Sequence, residues 1–347
     1  MLDMETKRLA IANLFLFLPN KSTVMRSSLN YILHSGKNSK FLYYLKAYAK
    51  ESIPDFLLRK QLQRELDECA KLYDAEYIND RVNYYCHATE SIASDATAIS
   101  DFHKKGHSSV YYLDSHEIVR WFNPDFRWKY LFGDIRDIPD SPTIVKSRNL
   151  CDDNGNAVLL NLDKCRHFVF LNDKKDFRDK KDIAIFRGQV GTRENRIRFM
   201  EMFGNHPRID AANTIAKGGL FSGNPDGKAT APRLSLYEHL DYKYIMALEG
   251  NDVASNLKWV MSSNSLAVMP RPTCETWFME GRLQPNVHYI EIRNDYADLI
   301  EKMDYYTAHP EEAKTISRNA NQYVDQFRDK RRERYIALLV MQRYFSL

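Results

Sequence analysis

Only five cysteines (Cys69, Cys86, Cys151, Cys165 and Cys274) occur in the 347 residues, an odd number with no CxxC spacing. That excludes a disulfide framework and a cysteine-based zinc site, and it points to a reducing cytoplasm. Glycine and proline are sparse, at 13 and 12, so a low-complexity or disordered chain is not expected. Neither a GxGxxG nor a GxxxxGK[ST] motif is present, which removes the two common nucleotide-binding signatures. Long apolar runs are also missing. The longest early one, Leu9 to Leu18, has ten residues, half of the roughly 20 that cross a bilayer. Asp3 and Glu5 precede Lys7 and Arg8, and no A-x-A-like site follows the run, so a soluble chain is expected, with a signal peptide as the minor alternative.

What is present is ample apolar content. At 44% hydrophobic residues, the chain can bury a large core and is long enough for two domains. The net charge is only +4, but residues 1 to 64 hold eleven Lys or Arg against four Asp or Glu. That local excess of seven leaves the remainder at about −3. Within it, KFLYYLKAYAKESIPDFLLRK interleaves lysine with Leu, Tyr and Phe. Such a stretch, residues 37 to 60, can lay an amphipathic helix on anionic headgroups. It can equally be a solvated helix face over a buried aromatic stripe. Aliphatics dilute the basic residues too much for a nucleic-acid surface, so no nucleic-acid partner is expected.

The rest is organised around YKYIMALEGNDVASNLKWVMSSNSLAVMP, beginning at Tyr242. It reads as a strand (Tyr244 to Leu248), a polar turn (Glu249-Gly250-Asn251-Asp252), a helix (Val253 to Ser263) and a second strand (Ser265 to Met269). In a β-turn-α-β unit the turn lies at the carboxyl end of the strand, where open α/β sheets take their ligands and helix N–H groups attract anions. Gly250 permits close approach, and Ser255 and Asn256 offer polar contacts one turn in. A phosphate site and an ordinary buried crossover both fit this pattern.

Other segments follow the same logic. Residues 40 to 85 read as helical, with Pro54 as a break, and SVYYL from Ser109 reads as a short strand. GDIRDIPDSPTIVKSR places Asp134, Arg136 and Asp137 in a loop before a strand (Thr143 to Val145) that ends in Lys146-Ser147-Arg148. A loop carboxylate is what a general base requires and the cations could meet an anionic donor, although loop aspartates also simply form turns. Val158 to Leu162 and Phe168 to Leu171 resemble strands, and the charge run of residues 172 to 182 a solvated loop. Ile183 to Phe186 reads as a strand delivering Arg187-Gly188-Gln189, with a helix from about Glu194. Arg187, Arg193 and Arg196 stand at its mouth, either to grip phosphate or to pair with Glu194 and Glu201. The Gly-rich segment 216 to 233 reads as a binding loop. Glu275 precedes an aromatic patch and a strand from His288 to Ile292. From Ala297 the pattern is helical, with Pro310 opening one helix and a basic amphipathic helix ending the chain.

Four stretches together resemble glycosyltransferase family 90: GDIRDIPDSPTIVKSR, FRGQVGTRENRIRF, LYEHLDYKYIMALEGNDVASNLKWVMSSNSLAVMP and ETWFMEGRLQPNVHYIEI. They arrive in that family's order over about residues 130 to 330. The wording is most similar to the bacterial lipopolysaccharide and capsule branch; protein O-glucosyltransferases are the eukaryotic branch. The resemblance implies an α/β chain of GT-B type, two Rossmann-like domains facing a cleft with a C-terminal helix crossing back. Residues 1–165 would be the acceptor-side domain with a basic helical start, 166–315 the nucleotide-sugar domain and 316–347 the returning helix.

It further implies inverting transfer from a nucleotide sugar, a UDP-sugar in most members, to a glycan hydroxyl, with no metal and no other cofactor. The alternatives are a protein or small-glycan acceptor, or a sugar-nucleotide-binding protein without catalysis. The family's Arg-Asp-aromatic-Pro motif corresponds to Arg136-Asp137-Ile138-Pro139, making Asp137 the expected base. Ile138 departs from the motif, and bacterial relatives often keep the carboxylate at the position of Asp134 instead, so both are candidates. Arg136, Lys146, Ser147 and Arg148 would lie on the acceptor side or in the cleft. Arg187, Gly188, Gln189 and Arg196 would line the phosphate and sugar region. Gly250, Asn251, Asp252, Val253, Ala254, Ser255, Asn256 and Lys258 would surround the diphosphate, and Glu275 would hold the ribose. Eukaryotic relatives have arginine where Asn256 stands, so Lys258, the helix N-terminus or Arg187 would carry that charge here. The expected location is cytoplasmic and peripheral to the inner membrane, with a lipid-linked glycan as acceptor.

Overall fold

The computed structural model describes residues 35–214, 231 and 233–347. The Leu9 to Leu18 run and nearly all of the Gly-rich segment lie outside the described residues. Among the described residues three helices come first, α1 (Lys40–Glu51), α2 (Asp55–Leu72) and α3 (Ala75–Tyr85). The periodicity runs through all of them, but two residues cut it. Pro54 sits in extended conformation before α2, where its ring is tolerated. Asp74 caps α3 by accepting from the Tyr77 amide at 2.7 Å.

The next part of the chain builds small sheets. β1 (Thr97–Ala98) is followed by α4 (Ser109–Val119) and β2 (Arg127–Trp128), and β2 pairs antiparallel with β1. The expected strand at SVYYL is therefore the first turn of α4. Aromatic and β-branched residues favour strands only where a ladder partner exists. Here Leu113, Ile118 and Val119 bury one helical face instead. β3 (Tyr130–Leu131), β4 (Thr143–Val145) and β6 (Ala157–Leu159) form a parallel sheet in the order β3-β4-β6, while β5 (Ser147–Asn149) turns away from it. One helical turn, α5 (Lys164–His167), follows.

The larger sheet begins with β7 (Lys181–Gly188), α6 (Glu194–Phe203), β8 (Ile209–Asn213), α7 (Leu236–His239) and β9 (Tyr242–Met246). It continues through α8 (Leu257–Met261), β10 (Leu266–Met269), β11 (Cys274–Thr276) and β12 (Ile290–Glu291). All five of its strands are parallel, in the order β12-β10-β9-β7-β8. Burial on both faces explains why these strands are nearly continuous apolar runs. Ala184, Phe186, Tyr244, Met246 and Val268 pack toward α6 and α9 (Leu299–Ala308). Ile185, Ile245 and Ala267 face the other core, which also holds Ile144, Val158, Leu159 and Trp277. α10 (Pro310–Asp325) contributes Ala313 and Ile316 to the first core and Ala320 and Val324 to the second, and α11 (Lys330–Tyr344) closes the chain against α2, α3 and α4. β11 leaves the large sheet's vicinity to pair antiparallel with β5, joining the two halves.

Four further expectations change. The helix expected from Val253 begins only at Leu257, because residues 250 to 256 spend their hydrogen bonds locally. The Gly250 amide donates to the Asp252 carbonyl at 2.8 Å and the Asn256 side chain to the Met246 carbonyl at 2.9 Å. Phe168 to Leu171 is in no ladder; its Leu171 amide donates to Ser262 Oγ. The charge run is not simply solvated, since Lys180 and Asp173 form a buried pair at 2.7 Å and Phe177 is 1% exposed. Of His288 to Ile292, only Ile290–Glu291 joins the sheet.

Candidate functional site

Parallel order brings the carboxyl ends of β7 and β9 side by side, and the chain after each carries polar groups. After β9, residues Leu248 to Asp252 form a turn that touches two clusters.

On one side are arginines. Arg196, in the first turn of α6, donates from Nε to the Glu249 carbonyl at 3.0 Å, from Nη2 to the Leu248 carbonyl at 2.7 Å and from Nη1 to the Gln189 carbonyl at 2.7 Å. No carboxylate pairs with it among the described residues. Burial, and then the charge of Arg193, pull its pKa down to about 10. Arg193 donates only to the Val190 carbonyl, and its Nε has no partner among the described residues. Two guanidiniums facing one another without an acid between them define a place where an anion is stabilising. The two glycines make room for it. A Cβ on Gly250 would lie 3.2 Å from Arg196 Nη2, and one on Gly188 would meet the Phe186 ring at 2.9 Å.

On the other side the two halves of the chain meet through Lys146, whose side chain is 1% exposed. Its ammonium contacts Asp134 and lies 2.6 Å from Asp252 Oδ2, an ion pair set off the line of a hydrogen bond. Asp134 also receives a two-pronged grip from Arg166, Nη2 to Oδ1 at 2.6 Å and Nη1 to Oδ2 at 3.1 Å, and a weaker contact from Tyr111 Oη at 3.4 Å. Burial opposes its charge, but the hydrogen bonds and charges of Arg166 and Lys146 outweigh that and hold the carboxyl well below the usual carboxylate range. Asp163, with Oδ2 2.6 Å from Arg166 Nε, goes the other way: burial raises it more than Arg166 and Lys146 lower it. Its backbone is left-handed at φ 54°, a strain of about 1–3 kcal/mol for a non-glycine residue.

A third contact braces the turn. Arg136 Nη1 donates to Thr273 Oγ1 at 2.8 Å and lies 3.5 Å from Glu249 Oε2, while Glu249 accepts from the Thr273 amide at 2.8 Å.

The residues singled out in the sequence therefore divide. Asp134, Arg136, Lys146, Arg196, Gly188, Gln189, Gly250 and Asp252 converge on the turn. Asn251 and Ser255 are exposed near it, and Val253 and Ala254 are buried beneath it. Asp137 is exposed and makes no hydrogen bond or ion pair among the described residues. Arg187 is turned to Asp210 at 2.8 Å, and Ser147 Oγ to the Ile135 carbonyl at 3.0 Å. Lys258 is fully buried against Glu280 at 2.5 Å. Glu275 is buried against Arg148 at 2.8 Å and Tyr84. Lys258, expected at the diphosphate, and Glu275, expected at the ribose, thus both have partners inside the protein. Arg166, Asp163 and Tyr111 belong to the site and were not singled out. Among the described residues no cluster of three His, Cys, Asp or Glu side chains is placed to hold a metal ion, and no helix is long and apolar enough to cross a membrane.

These features define an α/β protein with an anion-attracting site at the carboxyl ends of parallel strands and a carboxylate–lysine cluster beside it. Residues 162–347 match the model of Glycosyl transferase family 90. The chain is 40% identical over 312 residues to O-glucosyltransferase LpsA of Dichelobacter nodosus, covering 89% of this chain and 96% of that protein. It is 27% identical over 141 residues to Protein O-glucosyltransferase 3 of Homo sapiens, covering 40% and 27%, and 32% over 90 residues to Protein O-glucosyltransferase 2 of Danio rerio, covering 26% and 18%. The chain belongs to glycosyltransferase family 90, and it is a glycosyltransferase.

Proposed function

We propose that this enzyme transfers a sugar, with inversion, from a UDP-sugar to a hydroxyl of a lipopolysaccharide or capsule glycan, without a metal. The reading rests above all on the turn Leu248 to Asp252, which has an unpaired arginine couple on one flank and the Asp134–Lys146 cluster on the other. Inverting transfer is a single in-line displacement: the acceptor oxygen bonds the anomeric carbon, the bond to the diphosphate oxygen breaks, and its electron pair leaves with UDP. The acceptor's proton goes to a carboxylate, and cations meet the charge that develops on the leaving group. Arg193 and Arg196 suit the diphosphate. Asp134 suits the base better than Asp137, because it touches the cluster at the turn whereas Asp137 stands free at the surface. The sugar to test first is glucose, since the bacterial relative is named an O-glucosyltransferase.

The same reading takes the parallel sheets of the two halves, joined by β5 and β11, as the two Rossmann-like domains of a GT-B enzyme. It also takes α1 as a membrane-contact helix: none of its residues is buried, and Phe41, Leu42, Leu45 and Tyr48 are exposed. A bilayer-bound enzyme would meet a lipid-linked acceptor at the cytoplasmic face of the inner membrane.

The test is calorimetric titration with UDP, GDP and CMP, with and without EDTA, alongside transfer assays of Asp134→Asn. UDP binding should be selective and survive EDTA. Asp134→Asn should keep its UDP affinity and lose about 10²–10⁴-fold in transfer rate. Absence of nucleotide binding, or full activity in the variant, defeats the donor site or the base respectively.

A further inference from the structure

A cavity of about 870 Å³ lies away from the turn, enclosed by α1, α4, α5 and α11. α5 separates it from the site above: Lys164 and Cys165 line the cavity, while Arg166 on the same turn grips Asp134. Part of its wall is apolar, from Leu42, Phe168 and Phe170. Several cations on its lining are already neutralised. Lys50 and Lys164 share Glu117, at 2.5 and 2.7 Å, while Arg331 and Arg334 pair with Glu65. Two are not. Lys46 on α1 and Lys330 at the start of α11 are exposed and have no ion pair among the described residues. Lys330 opens a 15-residue helix whose first amides are already capped by the Asp329 carboxylate, so the free positive charge there is that of its own ammonium.

We propose that this cavity takes the glycerophosphate headgroup of an anionic membrane lipid. The phosphate sits between Lys46 and Lys330, the glycerol and first acyl carbons lie on the apolar wall, and the exposed Phe41 (73%) and Leu45 (55%) of α1 enter the bilayer interface. Free cations over an apolar wall, beside a helix that buries none of its residues, fit an amphiphile better than a fully hydrated anion. A lipid seated there would hold the membrane against α5, whose Arg166 grips Asp134. The inference rests on the membrane contact proposed above and adds a defined headgroup site to it.

The full-length protein is sedimented with vesicles of phosphatidylcholine alone or mixed with phosphatidylglycerol, and its melting temperature is followed with monomeric dihexanoyl-phosphatidylglycerol and with glycerol 1-phosphate. The wild type should prefer the anionic vesicles and be stabilised by the short-chain lipid but not by glycerol phosphate. The pair Lys46→Glu/Lys330→Glu should lose both effects, with partitioning down at least about tenfold. The pair Phe41→Ser/Leu45→Ser should lose vesicle binding and keep the short-chain stabilisation. Both pairs change exposed side chains, and an unchanged ligand-free melting temperature shows that they fold. If the charge variant keeps its anionic preference, or the short-chain lipid leaves the wild-type melting temperature unmoved, the headgroup site is wrong while membrane contact stands. Equal stabilisation by glycerol phosphate would make the cavity a site for soluble phosphate esters. A wild type that ignores all vesicles overturns the membrane contact, and the site with it.

Discussion

Asp134 poses a chemical problem at the scale of single residues. The base proposed for the reaction should attract a proton, yet Arg166 and Lys146 hold this carboxylate ionised far into acid. The sign of its pH dependence follows. Removing a cation from a carboxylate raises its pKa, so Arg166→Gln should move the acid limb of kcat/KM to higher pH, by about 1 unit or more. An acid limb that stays in place would mean that Asp134 is not the group it reports. Much of this cluster was visible beforehand, since Asp134, Lys146 and Asp252 all stood out as candidates. Their meeting was not, because Lys146 and Asp252 stand 106 residues apart in the chain. Arg166 and Asp163 carried no signal, and Asp163 declares itself only through its left-handed backbone. Lys258 and Glu275 show the converse. A charged residue near a motif looks like a ligand group until the fold supplies its partner, here Glu280 and Arg148.

Elements explain why the proposed donor flank is built from loops rather than a helix N-terminus. A long crossover helix after β9 would have offered its dipole to the diphosphate; the five residues of α8 offer little, and Arg193 and Arg196 stand in its place. The strands of the large sheet were readable as apolar runs, because buried parallel strands need few polar residues, although their order was not. The starts at Glu194 and Pro310 were readable too, whereas that of α8 was not, because Asp, Asn and Ser side chains compete for the same amides. The two-residue strands β1, β2 and β3 also failed to show, since two paired residues leave no period. Gly250 is where this arrangement can be probed. Its missing Cβ gives Arg196 its room, so Gly250→Ala should push the guanidinium aside and weaken UDP binding about tenfold, the equivalent of roughly one charge-assisted hydrogen bond. Because the displaced atom is the tip of a flexible side chain, the melting temperature should stay within about 2 °C. Unchanged UDP affinity by calorimetry would remove Arg196 from the donor site.

The whole molecule is held together across its two halves by more than the β5–β11 pairing. One continuous core runs from Tyr85 in the first half through Trp277 to Tyr344 at the end. At its centre Arg81, fully buried, binds Glu333 of α11 through two hydrogen bonds of 2.7 and 2.9 Å. Trp277 Nε1 donates to the same carboxylate at 2.6 Å, and its ring stacks on Tyr85 at 3.8 Å. Three segments distant in sequence thus depend on one carboxylate. Loss of one partner of a buried pair strands the other charge, at about 3–5 kcal/mol. For a chain of this length that corresponds to a fall of roughly 4–7 °C in Tm. Glu333→Ala should therefore melt that much earlier, and calorimetry should record a single transition, because the core it weakens belongs to both halves. Two separated transitions, with only one displaced by the substitution, would show instead that the halves unfold as independent domains and that α11 serves just one of them.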